Sequence, residues 1–367
     1  MPDETTFREI RPGEEERFDA FIKDAPRGDY LQSYEWGQMK AKSGWQPIYA
    51  VAEQHGEIKA AATVLKKKLP VLSAAFFYTP RGPVMDYRDQ ETVDLVLEGI
   101  RELAGQHNAI LLKIDPDISA SEPEARETLL QKGFIPARRR GKFDGLQPRH
   151  VCRLGLEKDP GEIFKSFSEK TRYNIRLAEK KGVTVKEGDK ESLPAFYNIL
   201  QETCRRDNFL TRGYDYFDSV WEHSVEKGLG KLFLAQYQGE CVAGVWVITF
   251  GKKAWYLYGA SSNQHRNVMP NYALQWHAIR WAREKGCTLY DFLGIPGKLS
   301  PNSPAYGLYR FKKGFNSEVT EFIGEFDLPF RRPYYHFWRV AEPAYARTVV
   351  SLGRVKQRLK HLTVHGR

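Results

Sequence analysis

Apolar positions along the chain recur with two periods, and their alternation predicts an ordered series of helices and strands. Helical spacing covers Glu14–Ala25 and Leu31–Ser43. Strand-like runs follow at Pro47–Glu53, Ile58–Lys66 and Ala74–Pro80, the first two joined by a His55-Gly56 turn. Asp89–His107 carries Val93, Val96, Leu97, Ile100 and Leu103 at the spacing of an amphipathic helix. Ala109–Ile114 is then a continuous apolar run ending at Asp115-Pro116, and Glu122–Gly133 a helix closed by glycine. A charged loop from Arg138 to Gly145 leads into strand His150–Leu154.

The pattern then repeats. Asp159-Pro160-Gly161-Glu162 caps a helix predicted over Pro160–Lys181, followed by helices at Ser192–Asp207 and Tyr214–Lys227. Lys231–Tyr237, Cys241–Phe250 and Lys253–Tyr258 form a meander, and helix Asn271–Lys285 precedes strand Leu289–Leu293. Each half reads as helix, helix, strands, helix, strand. This predicts a duplicated α/β (α+β) unit with mixed central sheets flanked by helices. The expected division is residues 1–153, joined by a return segment at about 319–343, then 154–318, then a basic amphipathic helix over 344–367.

Composition sharpens this picture at a few points. At 367 residues the chain exceeds the usual reach of one core, in keeping with two domains. A net charge of +10 favours polyanionic partners: nucleic acid, phosphorylated substrates or an anionic membrane face. Cys152, Cys204, Cys241 and Cys287 stand far apart, against a zinc site or a disulfide framework, and they suit a reducing compartment. The N-terminus is acidic, and the longest apolar runs are too short to span a bilayer. The expected location is the cytoplasm, with peripheral association at the inner membrane face left open.

Asn263 to Phe292 resembles the core of the acetyltransferase (GNAT) fold, whose loop before this helix is glycine-rich so that backbone N–H groups can approach a pyrophosphate. Here Asn267-Val268-Met269-Pro270-Asn271 fills that loop, with no glycine and with a proline that lacks an N–H. A GNAT-like unit without its coenzyme loop, present twice, is similar to the Fem-type (FemABX) peptidyltransferases. The resemblance spans nearly the whole chain. It is carried by Leu31-Gln-Ser-Tyr-Glu-Trp-Gly-Gln-Met-Lys, Lys113-Ile-Asp-Pro, Ser168-Glu-Lys-Thr-Arg-Tyr-Asn-Ile-Arg, Tyr256-Leu-Tyr-Gly-Ala-Ser-Ser and Tyr306-Gly-Leu-Tyr-Arg-Phe-Lys-Lys-Gly-Phe.

That resemblance implies tandem GNAT-like domains. It also implies transfer of an amino acid from aminoacyl-tRNA to the stem peptide of a muramyl-pentapeptide precursor, either UDP-linked or lipid II. Larger members carry a helical-hairpin arm for which this chain has no room. An aminoacyl ester is already activated, so neither cofactor nor metal is required. The enzyme must orient an amine, help remove its proton and stabilise an oxyanion.

On this resemblance Lys40 is a phosphate contact, Arg212 and Tyr216 present a guanidinium and a ring from one helix face, and Tyr256 and Tyr258 share one side of a strand as a lid. Asp115 faces a cleft as base or amine anchor, and Lys312, beside Phe311, meets the charge developing at the ester carbonyl. From residue types alone, Lys40 reads as a solvated helix lysine and Arg212 with Tyr216 as a partly exposed pair. The two lid tyrosines read as core, Asp115-Pro116 as a turn, and Arg310 to Phe315 as a β-edge guarded by lysines.

Lys170, Arg172, Arg176 and Lys180, with Lys165 and Lys181, load one helix opposite Ile163, Phe164 and Phe167. They suit tRNA phosphates or a plain solvated face. The Arg138–Lys142 cluster could serve the same purpose. The tail after Glu342 holds six Lys/Arg, no acidic residue, and apolar residues at Tyr345, Val349, Leu352, Val355, Leu359 and Leu362. It suits an anionic membrane or the protein's own body. Two competing functions are a coenzyme-A-dependent N-acyltransferase, disfavoured by the missing glycines, and a non-enzymatic RNA- or membrane-binding protein. His107, His265 and His277 read as structural.

Overall fold

The computed structural model describes residues 5–69, 73–138, 143–297, 299–302 and 304–342, with Ala344 and Thr348. The first half contains β1 (Thr6–Glu9), α1 (Glu15–Asp24), α2 (Tyr34–Ala41), β2 (Gln46–Gln54), β3 (Glu57–Lys68), β4 (Ala75–Thr79), α3 (Gln90–Gln106), β5 (Ala109–Ile114), α4 (Pro123–Gln131) and β6 (Ile135–Pro136). The second half contains β7 (His150–Gly155), α5 (Pro160–Ser166), α6 (Glu169–Lys180), β8 (Thr184–Glu187), α7 (Leu193–Arg206), α8 (Tyr214–Val220), β9 (Gly230–Tyr237), β10 (Glu240–Phe250), β11 (Lys253–Ser261), α9 (Pro270–Glu284), β12 (Leu289–Ile295), α10 (Pro304–Gly314) and β13 (Glu318–Glu321). A last strand, β14 (Phe326–Pro329), returns to the first sheet.

Two seven-stranded mixed sheets result, ordered β1-β2-β3-β4-β5-β14-β6 and β13-β7-β12-β11-β10-β9-β8. Each has one parallel pair, β4 with β5 and β11 with β12, bridged by a helix, α3 or α9. The unit β2-β3-β4-α3-β5 therefore reappears as β9-β10-β11-α9-β12, the predicted duplication. Sequence dictates the crossover helices directly: Asp89 accepts from the Thr92 N–H to start α3, whose apolar stripe from Val93 to Leu103 is buried.

Two predicted segments differ locally. The helix expected over Pro160–Lys181 is broken, because Phe167 turns extended and Ser168 caps a new helix by accepting from the Thr171 N–H. Phe167 wedges between Trp276 and Phe315, and the Ser168 N–H donates to the Gly314 carbonyl, so packing decides the break. The stretch Arg310–Phe315 is the end of a helix rather than a β-edge.

The domain exchange also differs from the expected boundaries. Strand β13 pairs with β7 in the second sheet, so Val319 does not join the first domain; the chain crosses at Phe322 and Ile323, which pair with Ser119 and Ile118, and joins the first sheet from Phe326. By the same pairing, His150–Arg153 belongs to the second sheet. The tail over 344–367 lies almost wholly outside the described residues.

One core lies between the first sheet and α3, a second between the second sheet and α6 with α9. A third joins the halves: Phe18, Tyr30, Leu31 and Met39 of the first pack with Phe196, Phe217, Trp221, Trp246 and Trp255 of the second. Tyr30 meets Trp255 at 4.8 Å between ring centroids. Large aromatic area buried across the junction makes the halves one body.

Candidate functional site at the junction of the two halves

Helix α2 is short because Ser33 caps it, accepting from the Trp36 N–H, and the chain turns into β2 after Lys42. One turn after Trp36, Lys40 sets its ammonium 5.4 Å from that indole. Its other neighbours are cations. Burial first, then Arg212 and Lys67, lower the Lys40 ammonium to about 8. Arg212 approaches from the second half, its guanidinium 5.6 Å from the Tyr216 ring, and the Tyr258 hydroxyl donates to the Tyr216 hydroxyl at 3.3 Å. Lys40, Lys67 and Arg212 thus lie within electrostatic range of one another beside two phenols; Lys67 donates to the Ser43 and Gly44 carbonyls at 3.3 and 2.9 Å, and among the described residues no carboxylate forms an ion pair with any of the three. Such an arrangement is costly when empty and is relieved by an anion.

The structure brings Lys40, Arg212, Tyr216 and Tyr258 together, with two corrections. Arg212 lies in the loop before α8, not on it, because the helix starts at Tyr214 after Gly213. Tyr256 and Tyr258 do not share a side. Opposite Trp246 and Val247, β11 carries Leu257 as an extra residue, and a one-residue bulge reverses the alternation of faces. Tyr256 packs with the α6–α9 core, while Leu257 and Tyr258 pack at the junction. Lys67 is not among the sequence candidates; the β2–β3 pairing, with Gln46 opposite Lys66, brings it beside Trp45 and the end of α2, and its place in a Lys66-Lys67-Lys68 run is the signal that points to it.

Tyr30 marks the middle of the junction, with Trp36 on one side and, within electrostatic range, Tyr216 and Asp291. Beyond it runs a buried polar seam. Asp117 takes a bidentate bond from Arg153 at 2.9 and 3.2 Å and a third bond from Lys253. Burial by itself would raise the Asp117 carboxyl, but Lys253 and Arg153 outweigh it and hold the group far below the usual range. Arg153 also donates to Asp291 at 2.9 Å. Asp291 accepts from the Leu293 N–H at 2.6 Å, stabilising Leu293 at a left-handed φ of 59° where β12 bulges.

That bulge turns the carbonyls of Leu293 and Gly294 toward α10, where Lys312 donates to them at 3.1 and 2.8 Å. Lys312 is 4% exposed, and burial lowers its ammonium to about 8, opposed by Cys152 and Asp291. An ammonium has three donors, so one stays available for a substrate. Phe311 packs edge-on against Tyr272 and Phe315 and stiffens this end of the helix.

Asp115 is placed differently from the expectation of a cleft-facing base. It is 2% exposed, and its carboxylate accepts from the Tyr78 hydroxyl at 2.6 Å and the Arg81 N–H at 2.7 Å. Burial raises its carboxyl, and it acts as the anchor of the loop after β4. Of the basic helix residues, Lys165, Lys170, Arg176, Lys180 and Lys181 are exposed. Arg172 instead donates to the carbonyls of Lys165 and Phe167, closing α5, and Arg176 lies 5.3 Å from the Phe164 ring. Of the cluster at 138–142, only Arg138 is among the described residues.

Few backbone N–H groups before α9 are free to meet a coenzyme pyrophosphate. The N–H groups of Val268, Met269 and Tyr272 already donate to the carbonyls of His265, Arg266 and Met269, and Pro270 has none to offer.

The chain matches the FemAB family over residues 14–236 and 223–343. It belongs to the FemAB family. It is 29% identical to the lipid II:glycine glycyltransferase of Staphylococcus epidermidis over 92% of this chain and 97% of that protein, and similarly to its Staphylococcus aureus counterpart. Those alignments run to 406 and 412 positions against 367 residues here, so the relatives contain segments this FemAB protein lacks. The crystal structure of FemX superposes with a TM-score of 0.85 at 29% identity, over 91% of this chain and 99% of that one. A tandem GNAT protein from the clavulanic acid pathway shares the fold at a TM-score of 0.53 and 13% identity. The chain is accordingly an aminoacyltransferase on two GNAT-like domains.

Proposed function

We propose that this FemAB protein transfers an amino acid from aminoacyl-tRNA to the stem-peptide amine of a diphosphate-bearing muramyl-pentapeptide precursor. The observation that carries this reading is the unpaired cation cluster of Lys40, Lys67 and Arg212 at the junction, with Tyr216 and Tyr258 beside it. A diphosphate relieves the repulsion among the three cations, and the phenols supply a wall for the attached uracil or sugar. The names of the staphylococcal relatives favour lipid II as the acceptor and glycine as the first amino acid to try.

The amine attacks the ester carbonyl, a C–N bond forms, the C–O bond to the ribose breaks, and the amine proton ends on the released ribose hydroxyl. The third N–H of Lys312 supplies a donor for the oxyanion, and the seam from Asp117 through Arg153 and Asp291 holds the carbonyls that orient it. Because both sides of this cradle are buried, little reorganisation accompanies charge development. Exposed Lys170 and Lys180, with Arg176, offer phosphate contacts to the RNA of the donor.

A transfer assay tests the reading. Purified protein is mixed with tRNA charged with labelled amino acids and with UDP-linked or lipid-linked muramyl-pentapeptide, and products are read by mass spectrometry. A precursor heavier by an amino-acid residue, lost on RNase treatment, supports it. No mass shift with any donor from folded protein sinks it.

A further inference from the structure

We infer that the helix over residues 332–342 is a membrane-docking element that seats the protein on an anionic lipid surface. Its inner face is pinned. Tyr335 is 1% exposed and its hydroxyl donates to Asp327 on β14, while Trp338 stacks on Phe76 of β4 at 6.0 Å. The outer face is therefore determined, and it is largely apolar: Tyr334, Phe337 and Val340, three residues apart, are 47%, 61% and 80% exposed, with His336 exposed beside them.

Arginines border this face. Arg331 and Arg332 are exposed where the helix begins, and Arg339 lies over the Tyr335 ring. Past the described residues the sequence repeats apolar positions at Tyr345, Leu352, Val355, Leu359 and Leu362 among six basic and no acidic residues. Large apolar side chains flanked by arginine are what an anionic bilayer interface takes up, the former entering the acyl boundary and the latter meeting phosphates.

Position relative to the cation cluster gives the docking a use. Trp338 touches Phe76, Phe76 touches Trp45 at 5.5 Å, and Trp45 carries the Lys67 ammonium at 5.4 Å. One aromatic layer thus separates the outer helix from the cluster, so a docked helix holds the cluster near headgroup level. That is where a lipid-linked acceptor keeps its diphosphate; this use rests on the acceptor proposed above, whereas the docking itself does not.

The test is co-sedimentation of the full chain with phosphatidylglycerol-containing or pure phosphatidylcholine vesicles, alongside transfer to UDP-linked and vesicle-embedded acceptors. Binding to the anionic vesicles should weaken with salt, and the combined Tyr334→Gln, Phe337→Gln and Val340→Gln variant should lose about tenfold in affinity or more. These exposed substitutions should leave the melting temperature and transfer to the soluble acceptor unchanged while transfer at the vesicle falls. Failure of the unaltered chain to bind anionic vesicles overturns the inference, as does unchanged binding by the variant. A self-associating chain whose oligomers, and not vesicle binding, are lost in the variant would reassign the face to a second copy. If neither acceptor is elongated but vesicle binding still drops in the variant, the docking surface stands and the transfer reading falls.

Discussion

Replacing Lys40 with methionine should make the free protein more stable and a poorer binder of the precursor. In the folded chain the Lys40 ammonium sits at about 8 instead of 10.5 because burial, Arg212 and Lys67 all disfavour its charge. Such a difference corresponds to about 3 kcal/mol, which solvent reaching this half-buried side chain reduces to roughly 2 kcal/mol. Methionine removes that cost and forfeits the contact with Trp36, worth about 0.5–1 kcal/mol, for a net gain of about 1 kcal/mol. In a chain of this size the melting temperature should rise by roughly 2 °C near neutral pH.

The sign with pH follows from proton counts. Below about 8 both folded and unfolded chains hold the proton and the cost is fully present; between about 8 and 10.5 only the unfolded chain holds it. Stability of the natural protein therefore rises with pH through that window relative to the variant, and the gap closes above it. The diphosphate should bind the variant about ten- to a hundredfold more weakly, from one lost charge-assisted contact. Calorimetry with the UDP-linked precursor in buffers of different ionisation enthalpy should also show proton uptake within the window for the natural protein and less for the Lys40→Met variant. A variant that melts lower, or that binds the precursor with unchanged affinity, would refute the account of the cluster.

Lys312→Met should lower turnover by about 100- to 1,000-fold with little change in precursor affinity, because its free donor acts on charge that appears only in the transition state. In the natural protein this contribution should fade as pH rises through about 8, where Lys312 loses its proton, and single-turnover rates across pH would show it. Arg212→Ala should instead weaken precursor binding about tenfold or more, measured by calorimetry, while an unchanged affinity removes it from the site. Asp117→Asn should cost about 3–5 kcal/mol in denaturant unfolding, since Arg153 and Lys253 are left buried without their shared carboxylate. Because the Asp117 carboxyl is depressed, its stabilisation is present above the usual aspartate range and is lost as pH falls through the folded value.

Local order in this chain was legible from sequence wherever one element depends only on its own residues. The stripe from Val93 to Leu103 and the Asp89 cap make α3 regardless of its partners, and the alternating or continuous apolar runs locate the strands of both sheets. The order of those elements made the duplication visible, and the absence of glycine between Asn267 and Asn271 already spoke against a coenzyme cradle. Lys40, Arg212, Tyr216 and Tyr258 were named on a family resemblance, and their residue types alone left core and solvent readings open.

Long-range packing decided the rest. Whether Phe167 continues a helix depends on Trp276 and Phe315, more than a hundred residues away in sequence. The bulge at Leu257 separates Tyr256 from Tyr258 only through its register against β10. Strand β13 chooses β7 through a pairing that no local pattern encodes, and Lys67 joins Lys40 and Arg212 only when the second half closes on the first. Asp115 looks the same in sequence as a cleft-facing base, and only Tyr78 and Arg81 show its carboxylate to be occupied. Sequence specifies what each segment can bury and how it is capped. Which charges then meet, and which go without a counter-charge, is set when two sheets close on a shared aromatic core.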